Sequence, residues 1–200
     1  MSGAAPGGRF CGTDGPVVLR VVLETGIAEF TDVRDLADSA LAAYVRDHLD
    51  ELDVLPRLRA AHGEVSCPDV LDEIPALSGG LALESDGRRI ASPGCCADLS
   101  ILREWREAAG HCSTTPAMLW NGHPWLLVAA DGDRLTLSGP TETSQGPAAH
   151  LLTVTRTALR SAIDAAEAEY GRFADQVTAV CAGLAGEPLV APLTRVLLGD

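Results

Sequence analysis

Apolar and polar positions change period several times along this chain, and the changes mark its elements. Residues 16–24, "PVVLRVVLE", are rich in β-branched side chains and lie between Gly15-Pro16 and Gly26, the pattern of a well-buried strand. From Asp32 the period becomes helical. Val33, Leu36, Ala37, Ala40, Leu41, Tyr44, Val45, Leu49 and Leu52 recur at three- and four-residue steps, which predicts one helix over about 33–52 with Asp32 as its N-cap. Pro56 and Gly63 bracket a short helical piece, Pro68 opens another, and "ALSGG" ends this helical layer.

Two Asp-Gly pairs then predict hairpins, because both residues tolerate the positive φ that a tight turn requires. In "LALESDGRRIA" a turn at Asp86-Gly87 places Leu83 opposite Ile90. In "PWLLVAADGDRLTLSG" a turn at Asp131-Gly132 places Val128 opposite Leu135 and Leu126 opposite Leu137, so that apolar side chains meet on one face. Both hairpins are expected in a single antiparallel sheet. Between them Ile101, Leu102, Trp105, Ala108 and Ala109 form a helical stripe over 99–109, capped by Asp98 and stopped by Gly110. After a stretch rich in Gly, Pro, Ser and Thr at 139–147, "HLLTVT" adds a strand and Thr155 caps a long C-terminal helix. That helix carries Leu159, Ile163, Ala166, Phe173, Val177 and Cys181 through a bend expected at Gly171. The expectation is an α+β fold: an antiparallel sheet built from hairpins, with flanking helices and a long C-terminal helix.

Composition narrows the class without naming a reaction. Two hundred residues, 46% hydrophobic and 22% charged, can bury a sizeable core, and we expect one globular domain over 1–200 with a mobile Gly-rich start at 1–15. The net charge is -13, and all fifteen basic residues are Arg, an imbalance with Ala and Gly abundance that points to a GC-rich bacterial genome. Such an acidic chain, with its Arg scattered, repels nucleic acid phosphates and leaves a basic protein as the natural partner class. Neither a leader-like h-region nor a run of membrane-spanning length occurs, so a cytoplasmic protein without membrane contact is expected. The six widely spread cysteines, Cys11, Cys67, Cys95, Cys96, Cys112 and Cys181, suit reduced thiols better than a disulfide framework.

The cysteine pair in "SPGCCADL" carries the chemically richest possibilities. Zinc could draw on Cys95, Cys96, His111, Cys112 and His123, but adjacent residues point apart and the usual short Cys and His spacings are missing. A thiol-dependent enzyme could use Cys96 near a helix start, with His123 as base and Asp98 nearby, although Asp98 would compete for the same positive potential. The preferred reading fills the core with one cysteine and turns its neighbour outward, with no cofactor. His48 reads as a structural histidine beside an apolar stripe. No phosphate-loop, dinucleotide, nucleophile-elbow or HExxH motif is present, and without Lys a Schiff base is impossible. The acidic run "RDHLDELD" leaves Asp47, Asp50, Glu51 and Asp53 on the face of the first helix away from its Leu stripe, a solvated face or a rim for a basic partner.

The stretch 81–142, with "SPGCCADL", the Trp105 helix, "WNGHPWLLV" and "GDRLTLSGPTE", resembles small bacterial proteins, mostly uncharacterised, found around toxin–immunity loci. The resemblance implies binding rather than catalysis. A non-enzymatic binding protein, of the immunity-inhibitor type and directed at a basic partner, is the expectation. A metal- or thiol-dependent enzyme centred on Cys95, Cys96 and His123 is the alternative.

Overall fold

Strand β1 (Val17–Gly26) forms where β-branched residues were densest, and its side chains are buried from both faces over Val21–Leu23. This computed structural model describes residues 16–60, 68–143 and 148–199, and the expectations for 1–15, Gly63, Cys67 and part of the 139–147 stretch lie outside them. β1 turns back into β2 (Glu29–Asp32), and helices α1 (Asp38–Glu51), α2 (Leu55–Ala60) and α3 (Pro68–Leu71) follow. The chain then makes β3 (Gly79–Ser85) and β4 (Arg88–Ala91), helix α4 (Leu102–Gly110), strands β5 (Ala117–Leu119), β6 (Trp125–Asp131), β7 (Arg134–Thr141) and β8 (His150–Thr155), and ends with α5 (Arg156–Leu184) and α6 (Glu187–Leu198). The fold is α+β, with antiparallel strands throughout and the long C-terminal helix expected from the sequence.

The strands divide into two four-stranded sheets, in the orders β2-β1-β3-β4 and β5-β6-β7-β8. The single sheet expected for the two hairpins is therefore corrected: β3–β4 belongs to the first sheet and β6–β7 to the second. One hydrophobic core nevertheless runs through both, from Leu19 and Leu83 to Leu137 and Val154. α5, about 43 Å long at 1.5 Å per residue, lies across β1 and also touches α1, α4, α6 and β8. It continues without interruption through Gly171, where a bend was expected.

Registers differ in instructive ways. Asp86 and Gly87 both take positive φ, as a type I′ turn demands, but an irregularity after Leu83 pairs it with Ala91 rather than Ile90. In the second hairpin Asp131 pairs with Arg134, so the turn residues are Gly132 and Asp133. Gly132 at φ 60 then occupies the first central position, the place for glycine in a type II′ turn. Val128 consequently faces Leu137, and Ala130 faces Leu135. Asp32 does cap a helical turn, but the short 3-10 turn Val33–Asp35; Leu36 leaves the helical region, and α1 starts at Asp38. Leu41, Val45 and Leu49 still form the buried stripe of α1.

Several polar devices hold the helices in place. β2 ends at Asp32 opposite Val22, so the Val21 N–H has no strand partner beyond it; the buried Glu169 of α5 accepts that proton at 3.1 Å. Arg34 pairs with Asp32 at 2.5 Å and lies 3.6 Å from Glu169. Burial pushes the Glu169 carboxyl above its ordinary range despite the Val21 N–H, whereas the Arg34 contacts outweigh burial and draw Asp32 below its own. Arg156 donates to the carbonyls of Ala109 and His111, satisfying the orphan acceptors at the C-terminus of α4. Thr155 and Asp98 cap their helical segments as expected, accepting from the N–H groups of Ala158 and Ser100.

Trp105 of α4 is fully buried, and its indole N–H donates to Asn121 Oδ1 at 3.3 Å. Trp105→Ala should cost about 3–5 kcal/mol, a large share of an ordinary domain's stability. Trp105→Phe, which mainly strips the Asn121 amide of one partner, should cost about 1–3 kcal/mol. Urea denaturation checks the ordering, and equal small shifts for both variants would contradict this packing.

Candidate functional site

Two regions collect the residues singled out from the sequence. The first is the crossing of loops 92–98 and 120–124. The N–H of Cys95 donates to the His123 carbonyl at 3.0 Å, and the His123 N–H returns the bond to Cys95 at 2.8 Å, an isolated antiparallel pair outside both sheets. The loops can approach this closely because Gly94 and Gly122 face each other. A Cβ on Gly94 would stand 2.6 Å from the His123 oxygen, and one on Gly122 would stand 2.5 Å from the Gly94 oxygen. Beneath them Asn121, 1% exposed, accepts from Trp105, donates to the Ser92 carbonyl at 3.2 Å and accepts the Gly94 N–H on its own carbonyl.

The cysteines at this crossing differ from expectation. Cys95 and Cys96 are both exposed, so neither fills a gap in the core; that place is taken by Cys181, buried in α5. The reason is backbone geometry. Cys95 is fixed by its pairing with His123, and Cys96 follows in the left-handed region at φ 61, which keeps the pair on the outside of the turn. The Cys96 thiol is raised in pKa, first by its hydrogen bond with Cys95 and then by that neighbour's charge, the opposite of an activated nucleophile. Asp98 is committed to Ser100, whose hydroxyl donates to it at 2.6 Å.

Of the other zinc candidates, His111 and Cys112 sit elsewhere with local partners. His111 Nε2 lies 3.1 Å from the Thr115 carbonyl, and the Cys112 thiol donates to the Gly110 carbonyl at 3.1 Å. The exposed His123 ring rests edge-on against Trp125, centroids 5.6 Å apart. Among the described residues no three His, Cys, Asp or Glu side chains are grouped to hold a metal ion.

The second region is a cleft of about 440 Å³ between the β1–β2 turn and α1. Glu24, Asp47 and Glu51 line it, together with Tyr44, His48 and Ile27. Asp50 and Asp53 are exposed near the same end of α1 but do not line the cleft. His48 is tied to the Pro75 carbonyl at 3.1 Å, the structural role expected of it. Ile27, which the sequence reading passed over, sits at the hairpin tip 99% exposed. An apolar residue inside a turn between two strands was the only available signal. A larger groove of about 610 Å³ runs between α1 and α5, where Gln176 donates to Asp38 at 3.2 Å.

No family model matches this chain, nor does any curated protein or solved structure. No helix among the described residues is long and apolar enough to cross a membrane.

Tyr44 reports on the cleft. Its hydroxyl donates to the Glu24 carbonyl at 3.0 Å, and burial, reinforced by the charges of Glu24 and Glu51, pushes its pKa up to about 12. A raised phenol pKa contributes stability that is intact below the ordinary value of 10.0 and is lost as pH rises toward about 12, because the unfolded chain ionises first. Absorbance titration should therefore show a late tyrosine phase, and Tyr44→Phe should remove it. Loss of only an ordinary phase near pH 10 in the variant would contradict a closed, acidic environment.

Proposed function

We propose that this chain is a non-enzymatic binding protein whose acidic cleft covers a basic partner protein, in the manner of an immunity-type inhibitor. The observation that carries the reading is Ile27, wholly exposed at the β1–β2 tip beside a cleft lined by Glu24, Asp47 and Glu51, with no Arg among its described lining residues. An exposed apolar side chain set within charges of one sign has the composition of a small interface, an anchor with a polar rim. The charge difference of fifteen basic against twenty-eight acidic residues adds a field that speeds encounter with a cationic surface. Asp50, Glu51 and Asp53 extend that field along the end of α1, and their exposure leaves them available as rim contacts.

The thiol- or metal-dependent alternative gains no comparable support. Its nucleophile has a raised pKa, its carboxylate is engaged with Ser100, and its zinc candidates are divided between two places.

Pull-down from the native host tests the proposal. The wild-type chain should recover a basic protein at low salt and less of it at physiological salt, where screening shortens to about 8 Å. Ile27→Asp and the pair Asp47→Arg with Glu51→Arg should each weaken binding roughly tenfold or more, as loss of an anchor or of rim charge does. Recovery of the same protein by all variants, recovery of no basic protein, or turnover of a small molecule by the chain alone would overturn the proposal.

A further inference from the structure

A pair of adjacent thiols is held at the surface by a loop whose backbone is pinned on one side and turned on the other. Cys95 is fixed by two main-chain hydrogen bonds to His123, backed by the close contact of Gly94 with Gly122. Had Cys96 continued in extended conformation, its side chain would point away from that of Cys95, as successive strand residues do. Instead Cys96 takes φ 61, a conformation uncommon for a residue with a Cβ, which breaks that alternation. Both residues are exposed. The two other described cysteines have no such arrangement, since Cys181 is buried and the Cys112 thiol donates to a carbonyl.

We infer that Cys95 and Cys96 form a vicinal dithiol site that exchanges with low-molecular-weight disulfides and closes to a disulfide between the two adjacent residues. In the first step one cysteine gives up its proton to solvent, and the thiolate attacks a sulfur of the small disulfide. A protein–small-molecule S–S bond forms as the reagent S–S bond breaks and one small thiolate leaves. The neighbouring thiolate then attacks the protein sulfur of that mixed disulfide, and the second small thiolate departs. Both leaving thiolates take up protons, so two cysteine thiols are oxidised and one small disulfide is reduced to two thiols.

Adjacent Cα atoms across a trans peptide are about 3.8 Å apart, shorter than the roughly 4.4–6.8 Å that most disulfides span. The ring is therefore strained and readily reduced again, which makes the pair a reversible modification site rather than a structural staple. Thiols on adjacent exposed residues also suit a soft electrophile that bonds two thiolates at once, such as a trivalent arsenical. This inference goes beyond the proposed partner binding and does not depend on it.

The test uses the full chain, folded and reduced, treated with oxidised glutathione at mildly alkaline pH and acid-quenched for intact-mass and peptide mapping. The wild type should lose two hydrogens, yield a linked Cys95–Cys96 peptide and retain no glutathione there. Cys95→Ser and Cys96→Ser should each keep one glutathione on the remaining thiol. Because both positions are exposed, the variants should unfold at the wild-type denaturant midpoint. Phenylarsine oxide should block the exchange in the wild type and fail to block it in either serine variant. Stable glutathione on wild-type Cys95 or Cys96, a linkage of either residue to Cys112, or absence of reaction at both positions would overturn the inference, and the wild-type result alone decides it should a variant fail to fold.

Discussion

The buried amide of Asn121 is the joint on which the two halves of this molecule depend. Its side chain takes a hydrogen from the Trp105 indole and gives one to the Ser92 carbonyl, while its main-chain carbonyl takes the Gly94 N–H. Those partners belong to two segments: α4, and the 92–98 loop that runs from β4 into it. A buried amide left without partners costs its full desolvation, so the network favours one relative placement of these segments over others. The contact of Gly94 with Gly122 and the pairing of Cys95 with His123 follow from that placement, and they connect the loop leaving the first sheet with the β5–β6 loop of the second. The exposure of the Cys95–Cys96 pair is a consequence of the same joint.

Polar satisfaction also explains how the helices are seated. The first sheet is incomplete along β1 once β2 has ended, and Glu169 of α5 supplies the missing acceptor. Arg34 balances the buried carboxylates of Asp32 and Glu169, which are shifted in opposite directions because Asp32 receives the closer guanidinium contact. Arg156 performs the complementary task at the end of α4. Most negative charge remains on the surface, and around the β1–β2 tip it surrounds Ile27 rather than a cation.

Local signals in the sequence translated well wherever chemistry within a few residues decides the outcome. Asp98 and Thr155 cap, Asp86-Gly87 turns, and Trp105 is buried because its stripe has helical period. Where the outcome depends on distant segments, the same patterns misled. Asp131-Gly132 offered a turn, yet β6 and β7 pair Asp131 with Arg134, which places the turn at Gly132-Asp133. The two hairpins shared one alternation but not one sheet, since strand alternation says which face is apolar and not which neighbour it meets. Helix α6 was missed although Gly186, Pro188 and Gly199 bracket it, the last at φ 79 as a left-handed cap. In the candidate site, the exposed acids of α1 were legible from helical spacing, whereas Ile27 was not, because its importance lies in what surrounds it. The cysteines were misjudged for the same reason: typical cysteine burial yielded to a loop pinned by His123.

If Asn121 and the loop crossing join the two sheets, neither sheet should open without the other. Native-state hydrogen exchange measures this directly, because each amide reports the free energy of the smallest opening that exposes it. The amides of β1 and β3, those of β6 and β7, and the paired amides of Cys95 and His123 should share one opening free energy, equal to that of global unfolding. A second sheet that exchanges through its own lower-energy opening, while β1 and β3 stay protected, would contradict the account.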